Sequence, residues 1–461
     1  MSLPFFGKKK QIVQQIKEHM GCDPASLPIL SEEFEIWNHP NLHLALEDFT
    51  TRSGRSAKLI GIQGGILSFG GISLAEIVTP KTMAGFAGLG GAKEGPVQYS
   101  NVDLADGKKL ACVQGALYLV SGEPKIIFLM RPNGLKIAGG GGTTLDVLAP
   151  DKAAAEAAMA DIRKAVNEHN IYRGKILSMT KQETVGGPTT VGGIKFHSVP
   201  TIERSKIILP EGLLKRIERQ TTDVGQYSEA LRNAKRKMKR GILLHGKPGT
   251  GKTLTAMYLA SAMSDRTVLL MTGNGLGLIE SSCSIARWLQ PSMVVIEDVD
   301  LIAEERTNTS SSGHALMFEL LNQMDGLNDD CDVLFLLTTN RPEVLEPALA
   351  SRPGRIDQAY EVPLPDSDCR RRLFELYSEG MTVELEHLDT YIKRTAGASG
   401  AFISELMRKA ALFAAPDGVP IVVKDKHMDE AMHELVIVGG SLTKNLLGFK
   451  DIGFSLGDNS H

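Results

Sequence analysis

The sequence predicts an α/β protein with a parallel sheet covered by helices on both faces and followed by a small helical lid. A separate N-terminal α/β domain precedes this sheet. After Ile207, short apolar runs alternate with helical segments, a pattern typical of a parallel sheet packed on both sides. Before Thr180, strand-like runs and glycine-containing turns are closed by one alanine-rich helix, which predicts a different, strand-dominated domain.

The bulk composition is that of a folded protein without an extreme charge. The chain has 461 residues, of which 42% are apolar and 23% charged, close to ordinary globular usage. The formal net charge of −3 provides no overall attraction to nucleic acid or to an anionic membrane. Isolated cysteines without a CxxC pair predict buried thiols in a reducing compartment, and we expect a cytoplasmic protein; they are Cys22, Cys112, Cys283, Cys331 and Cys369.

Neither a secretory signal nor a membrane span is expected. The N-terminal segment MSLPFFGKKKQ places its basic residues after a very short apolar start, which is the wrong order for a signal peptide. The most apolar stretch, Leu59 to Val78, contains Gln63, Glu76 and five glycines. A spanning helix needs about 20 mostly apolar residues, so this stretch is interpreted as buried strands and turns.

The predicted N-terminal domain covers residues 1–180. Asp106-Gly107 lies between strand-like runs in YSNVDLADGKKLACVQ and supplies the positive φ that a tight hairpin turn requires. A second strand pair, ALYLV and KIIFLM, flanks the turn SGEPK. The helix DKAAAEAAMADIRKAVNEHN begins after Asp151, a suitable N-cap residue. We assign this domain a role in recognising a client or partner protein.

Four further segments follow along the chain. Residues 181–206 are rich in threonine and glycine and are interpreted as an exposed linker. Residues 207–365 form the predicted large subdomain, whose apolar strands are GILLHG, TVLLMT, MVVIED and DVLFLLTTN. Residues 366–440 are the predicted helical lid, and residues 441–461 are a polar tail.

A glycine-rich loop between a strand and a helix predicts a phosphate site. HGKPGTGKT matches the pattern G-x-x-x-x-G-K-[ST], in which backbone N–H groups and the helix N-terminus surround phosphate oxygens. Lys252 is expected to reach the β- and γ-phosphates, and the Thr253 hydroxyl to ligate Mg²⁺. The predicted nucleotide-binding residues of this loop are Gly246, Lys247, Pro248, Gly249, Thr250, Gly251, Lys252, Thr253 and Leu254.

Two adjacent acids end the third strand of the large subdomain. Glu297 and Asp298 follow the apolar run MVVI, and with Thr253 they are the candidate Mg²⁺ ligands. Many nucleotide-hydrolysing enzymes have the order Asp-Glu, so Glu-Asp is a departure. Register from the apolar run assigns Glu297 to the metal side and Asp298 to the catalytic base, because successive strand side chains point to opposite faces. Capping of the next helix is the alternative role.

Three more polar residues complete the predicted catalytic set. Asn340 ends the fourth strand, where its amide can both donate to and accept from an attacking water. Arg352 and Arg355 flank a Pro-Gly turn in PALASRPGRID. An arginine supplied by a neighbouring subunit can accelerate phosphoryl transfer by ~10³–10⁵-fold. Surface salt bridges remain the alternative for both arginines.

These motifs together resemble those of an AAA ATPase of the AAA+ superfamily. The matching segments are GKPGTGKT, VVIEDVD, LLNQMDGL, LLTTNRPEVLEPAL, RPGRID and GASGAFISELMRKAAL, over roughly Ile207 to Ala415. The resemblance implies ATP with Mg²⁺, and a homo-oligomeric ring, usually a hexamer. It places Arg352 and Arg355 at the next subunit's site, Asn340 as the first sensor, and Gly400 and Ala401 in the lid near the nucleotide.

The acid order and the run MKRGILLHGKPGTGKT resemble one subgroup in particular. This is the mitochondrial respiratory-complex-III assembly ATPase and its bacterial relatives. That subgroup's membrane anchor has no convincing counterpart in this chain.

The predicted pore segment departs from protein-threading rings of this family. GNGLGLIESSCSIARWL has Leu276, Leu278 and Ile279 but no aromatic residue before Trp288. Contact of these aliphatic side chains with a threaded client would still bury apolar surface.

Three functions remain open at this point. The first is ATP-driven remodelling of client proteins through the N-terminal domain and the pore. The second is a motor acting on nucleic acid, supported only by the basic run NAKRKMKRG, which is usually a solvated turn. The third is a nucleotide-gated scaffold with slow turnover, which the Glu-Asp order keeps open. We favour the first.

Overall fold

The computed structural model describes residues 11–52, 54–63, 72–79, 93–133, 142–182, 190–272, 278–300, 312–326, 328, 330–345 and 355–438. The chain divides into two compact units. The first comprises Met1–Arg173 and Ser178–His197, and the second Gly174–Leu177 and Ser198–His461.

The first unit is built on an antiparallel sheet. Its strands are β1 (Ile29–Phe34), β2 (Ser56–Gln63), β3 (Lys93–Gly95), β4 (Gln98–Asp103), β5 (Lys109–Ser121), β6 (Ile126–Asn133) and β7 (Gly142–Leu148). They lie in the order β1-β7-β6-β5-β2-β3, and β4 pairs with β5. The helices are α1 (Ile12–Met20), α2 (His39–Thr51), α3 (Leu74–Val78) and α4 (Lys152–Glu168), with short 3₁₀ turns at Pro24–Ser26 and Ile36–Asn38.

The predicted hairpins and helix of this unit are confirmed. Gly107 has φ +77° in the turn that joins β4 to β5, and the segment SGEPK joins β5 to β6. The Asp151 carboxylate accepts a hydrogen bond from the N–H of Ala154 at 2.8 Å, which caps α4. α1 and α3 cover one core of the sheet, while α2 and α4 pack together and contact β1, β2, β5 and β7.

Part of the predicted linker is a strand. β8 covers Ile176–Gln182 and β9 covers Thr190–His197, where Thr190 and Val191 are β-branched residues that favour strand backbone. Within the first unit, Phe196 of β9 stacks on Tyr172 with ring centroids 5.6 Å apart. No helix in the described ranges is both long and apolar enough to cross a membrane. Residues 64–71, in the middle of the apolar stretch considered above, lie outside those ranges.

The second unit contains the predicted parallel sheet. Its strands are β10 (Arg240–His245), β11 (Thr267–Met271), β12 (Ser292–Ile296), β13 (Val333–Thr339) and β14 (Gln358–Glu361), paired in parallel in the order β14-β10-β13-β12-β11. Ile176 and Leu177 pair with β11. The accompanying helices are α5 (Leu213–Gln220), α6 (Thr222–Gln226), α7 (Ser228–Asn233), α8 (Lys252–Ala262), α9 (Ile279–Trp288) and α10 (Ser312–Asp325), and a 3₁₀ turn covers Arg204–Lys206.

The lid has a core of its own. Its helices are α11 (Ser367–Tyr377), α12 (Leu388–Arg394), α13 (Gly400–Ala414) and α14 (Asp425–His433), followed by a π-helical turn at Glu434–Val438. A 3₁₀ turn covers Ala415–Asp417, and two short parallel strands, β15 (Thr382–Glu384) and β16 (Val422–Lys424), join the helices. Phe374, Phe402 and Leu406 lie at the centre of a buried apolar cluster. The predicted tail, residues 441–461, lies outside the described ranges.

Candidate functional site

The glycine-rich loop begins where β10 ends, and its close approaches to Val362 and Ser399 exclude side chains at two positions. Gly246 has φ +143°, and a Cβ there would lie 2.3 Å from the carbonyl oxygen of Val362. Gly249 has φ +74°, and a Cβ there would lie 2.7 Å from the Ser399 hydroxyl oxygen. Both positions therefore require glycine for conformation and for space.

The loop lysine is buried at the N-terminus of α8. Lys252 is 6% exposed, and its Nζ donates hydrogen bonds to the carbonyl oxygens of Gly246 at 2.9 Å and Lys247 at 2.8 Å. Burial lowers the pKa of this ammonium to about 8, while the charges of Asp298 and Asp300 act in the opposite direction. The cation is thus held inside the loop, where phosphate oxygens can replace the two carbonyls.

Glu297 lies directly after β12, and one of its oxygens has no partner. Its backbone N–H donates to the carbonyl oxygen of Met271 at 3.2 Å. Burial raises the pKa of its carboxyl group and Asp298 raises it further, whereas a hydrogen bond with Thr253 lowers it. Oε1 is buried and has no hydrogen-bond partner among the described residues. A hydroxyl beside a partly unsatisfied carboxylate is a set of hard oxygen donors that fits Mg²⁺.

Asp298 has an unusual backbone conformation that is held by β13. Its φ is +48°, in the left-handed region that aspartate adopts more readily than most residues. Its N–H donates to the hydroxyl oxygen of Thr338 at 3.1 Å, and Asn340 Nδ2 donates to its Oδ1 at 3.0 Å. The predicted base and the predicted sensor are therefore in direct contact, and both line the same cleft.

Asp300 positions Asn340 and was missed by sequence reasoning. Its side chain is buried, and Oδ1 accepts hydrogen bonds from the Thr339 hydroxyl at 2.8 Å and the Asn340 N–H at 3.3 Å. The available signal was a third acid, two residues after Asp298, in VVIEDVD.

The two predicted arginines differ in what the structure describes. Arg352 lies outside the described residues. Arg355 is 3% exposed; its Nε donates to Asp325 Oδ1 at 3.0 Å, and its Nη2 donates to Asp325 Oδ2. In this conformation the Arg355 guanidinium is held within its own chain by an ion pair, the alternative that the sequence left open, although the guanidinium is buried rather than at the surface. A role for either arginine at a neighbouring subunit's site stays a prediction.

The lid contacts the glycine-rich loop through the start of α13. The Ser399 hydroxyl accepts a hydrogen bond from the Phe402 N–H at 3.2 Å and caps this helix. The Ala401 N–H donates to the carbonyl oxygen of Gly249 at 3.1 Å. A Cβ added to Gly400 would lie 3.5 Å from the same carbonyl oxygen. Gly400 and Ala401 thus lie against the glycine-rich loop, and their role beside a nucleotide stays a prediction.

A cleft of about 760 Å³ joins these elements. The predicted residues that line it include Asp298, Asn340, Gly400 and Ala401, and the loop residues Pro248, Gly249, Thr250, Gly251, Lys252, Thr253 and Leu254. Ile208, Pro210 and Tyr377 also line it and were missed. The apolar run IILP before α5 was the available signal for the first two.

The part of the predicted pore segment that the structure describes is largely buried. Leu276 belongs to residues 273–277, which the structure does not describe. Leu278 is 4% exposed and Ile279 2% exposed, so the interpretation of these two as client-gripping side chains is not supported by this conformation.

Comparison with known proteins finds similarity over part of this chain. A family profile described as "ATPase family associated with various cellular activities (AAA)" matches residues 242–364. A 26S proteasome regulatory subunit 4 homolog B from Arabidopsis thaliana is 38% identical over 188 residues, covering 38% of this chain and 42% of the relative.

A proteasome-activating nucleotidase from Methanothermobacter thermautotrophicus is 34% identical over 203 residues, covering 41% of this chain and 49% of the relative. The chain thus spans about half the length, or less, of the curated relatives it matches. Two crystal structures of the FIGL-1 AAA domain, one with ADP, are 26% and 25% identical to this chain. Both have a TM-score of 0.43 and cover 51% of this chain, with 84% and 85% of their own length covered.

Proposed function

We propose that this chain, which carries an AAA ATPase domain, hydrolyses ATP with Mg²⁺ in a homo-oligomeric, hexameric ring and couples hydrolysis to the remodelling of client proteins. The observation that supports hydrolysis is the convergence of Lys252, Glu297, Asp298 and Asn340 around the glycine-rich loop. Each requirement of phosphoryl transfer then has a candidate residue: a phosphate anchor, a metal ligand and a water-orienting pair.

Nucleotide binding would replace the two carbonyl contacts of the buried Lys252 ammonium with contacts to phosphate oxygens. The Lys252 ammonium now donates to two loop carbonyls, which are neutral acceptors. Phosphate oxygens carry negative charge, so Coulombic attraction for the ammonium is added to the hydrogen bonds. Backbone N–H groups of the loop and the N-terminus of α8 add to the attraction.

The two acids would have different roles, one in metal binding and the other in proton transfer. Glu297 and the Thr253 hydroxyl would hold Mg²⁺, since Oε1 of Glu297 is a buried oxygen that accepts no hydrogen bond from the described residues. Bound Mg²⁺ supplies positive charge for the phosphate oxygens. Asp298 accepts the proton of the attacking water, and Asn340, which already donates to Asp298 Oδ1, orients that water.

The client and the ring are proposed from the relatives rather than from the site. The relatives' names associate them with the proteasome, and we extend to this chain only the remodelling of protein clients in the cytoplasm. The N-terminal domain would recognise the client, and Arg352 would serve the neighbouring subunit's site. The resemblance to the complex-III assembly ATPase subgroup depends on the Glu-Asp order and the residues around the loop, and is kept as a finer proposal.

Turnover measured together with mass in solution tests this proposal. We expect Mg²⁺-dependent ATP hydrolysis by an ATP-stabilised ring, loss of nucleotide binding in Lys252→Ala, and loss of turnover with retained binding in Arg352→Ala. Hydrolysis by a strictly monomeric preparation, unaffected by Arg352→Ala, would rule out the role of that arginine. Tight binding without turnover would favour the scaffold, and nucleic-acid affinity that falls steeply with salt would favour the nucleic-acid motor.

A further inference from the structure

A second cleft lies within the first unit, lined by α2 and by residues of β2, β4 and β5. Its volume of about 590 Å³ lies in the range of ~300–1,000 Å³ that is typical of small-molecule sites. Leu59 and Tyr99 line it and are 37% and 57% exposed. An apolar and an aromatic side chain left in contact with water at a concave site offer a surface for the apolar part of a ligand.

Two polar atoms of this cleft are buried without partners. Tyr118 is 3% exposed, and its hydroxyl has no hydrogen-bond partner in the described part of the chain. The same holds for Nδ1 of His43. A buried polar group left without a hydrogen bond destabilises the fold. By contrast, the buried Tyr172 of the same unit donates its hydroxyl hydrogen to the carbonyl oxygen of Trp37 at 2.9 Å.

The cleft also contains one free charge of each sign. Glu47 and Arg55 line it, and neither forms an ion pair with any residue in the described ranges. The guanidinium of Arg55 lies over the ring of Phe49, 3.9 Å from its centroid. The charge of Glu47 acts on both His43 and Tyr118, which places this carboxylate near the two unpartnered atoms.

The part of the cleft around Glu47, His43 and Tyr118 can accept hydrogen bonds because the His43 imidazole is neutral. Burial lowers the pKa of its imidazole, so the ring is neutral at neutral pH and one of its nitrogens can accept a hydrogen bond. A carboxylate, a neutral imidazole and a phenol oxygen together suit a positively charged donor. Arg55, which precedes β2, suits an anion.

We propose that this cleft binds a small zwitterion, a ligand in which an ammonium group and a carboxylate are joined by an apolar body. The ammonium group contacts Glu47 and the Tyr118 hydroxyl, the carboxylate contacts Arg55, and the apolar body lies on Leu59 and Tyr99. Free amino acids and short peptides share this chemistry. The proposal does not depend on the nucleotide site or on ATP hydrolysis.

Calorimetric titration of the full-length protein without nucleotide tests the ligand class. The probes are leucine, leucyl-leucine, N-acetyl-leucine and leucinamide. Binding of leucine or of leucyl-leucine is expected, and the stronger of the two identifies the source as free amino acid or peptide. Blocking either charged end should weaken binding at least about tenfold. The proposal is overturned if neither leucine nor leucyl-leucine binds at up to about 10 mM. It is also overturned if N-acetyl-leucine and leucinamide bind as tightly as leucine.

Three variants connect binding to the cleft. Glu47→Gln, at an exposed side chain, should weaken binding at least about tenfold. Tyr118→Phe should weaken it about 3- to 10-fold without lowering Tm, because it removes a hydroxyl with no partner in the protein. Tyr172→Phe is the matched control, and should lower Tm while leaving affinity unchanged. A lowered Tm with unchanged affinity for Tyr118→Phe would show that its hydroxyl is only structural and would overturn the proposal.

Discussion

Separate neutralisation of Glu297 and Asp298 is the sharpest test of the site, since the two acids are expected to fail in different ways. Asp298→Asn keeps an acceptor for Asn340 Nδ2, now 3.0 Å from Oδ1. Asparagine also tolerates the φ of +48° found at this position. The variant therefore removes the proton acceptor with little change in geometry, and kcat should fall by about 10²–10⁴-fold, or about 3–5 kcal/mol in the activation barrier.

Glu297→Gln should change stability as well as metal dependence. A carboxyl group whose pKa is raised in the folded state destabilises the fold as pH rises through that pKa, and burial raises the pKa of Glu297. At neutral pH the neutral amide avoids this cost, so Tm without ligands should increase. The Mg²⁺ concentration needed for half-maximal turnover should rise at least about tenfold, because a charged hard donor is lost.

The assays are steady-state ATP hydrolysis at varied Mg²⁺, nucleotide affinity by calorimetry, and thermal unfolding without ligands. Wild-type turnover in Asp298→Asn, with loss of turnover but unchanged Mg²⁺–ATP affinity in Glu297→Gln, would show that the two roles are reversed. A decrease in Tm for Glu297→Gln would refute the stability argument.

Three further predictions concern neighbouring groups. Burial lowers the pKa of Lys252 to about 8, and bound phosphate favours the charged form of this side chain. Nucleotide affinity should therefore fall by up to about tenfold per pH unit as pH rises above this value. An affinity that stays constant to high pH, as expected for the Lys252→Arg variant, would contradict this. Gly249→Ala should lower both Tm and nucleotide affinity, because its φ is +74° and the new Cβ would lie 2.7 Å from Ser399 Oγ; wild-type affinity would show that the lid contact is dispensable. Asp325→Asn leaves the Arg355 guanidinium without its anion, and denaturant unfolding should show a loss of about 1–3 kcal/mol, less than for a fully buried pair because Asp325 is 48% exposed; an unchanged midpoint would refute this.

The arrangement around the glycine-rich loop was largely predictable because its signals are local. The glycine-rich loop is one continuous segment, and the carboxyl ends of neighbouring parallel strands meet at one edge of the sheet. Glu297, Asp298 and Asn340 could therefore be brought together from the positions of two apolar runs. The lid residue Ala401 was placed by resemblance, and its hydrogen bond to the loop agrees with that placement.

Contacts between distant segments carried no such signal. Asp325 and Arg355 are 30 residues apart, and nothing in their spacing indicates an ion pair. The burial of Leu278 follows from the packing of α9. The apolar character of a side chain does not by itself distinguish burial in a core from exposure at a pore. In the N-terminal domain, Glu47 and Tyr118 come from a helix and a strand whose pairing only the tertiary structure provides.

The backbone at Asp298 brings a carboxylate to Asn340 despite the reversed acid order. The side chain of aspartate is one methylene shorter than that of glutamate, so an extended continuation of β12 would leave the base farther from the attacking water. The left-handed conformation, held by the Thr338 hydroxyl, turns the chain immediately after the strand and aims the short carboxylate at Asn340. A strained residue of this kind costs about 1–3 kcal/mol and persists only where surrounding contacts enforce it. We therefore propose that the backbone supplies the reach that the shorter side chain lacks, so that the Glu-Asp order would be compatible with hydrolysis.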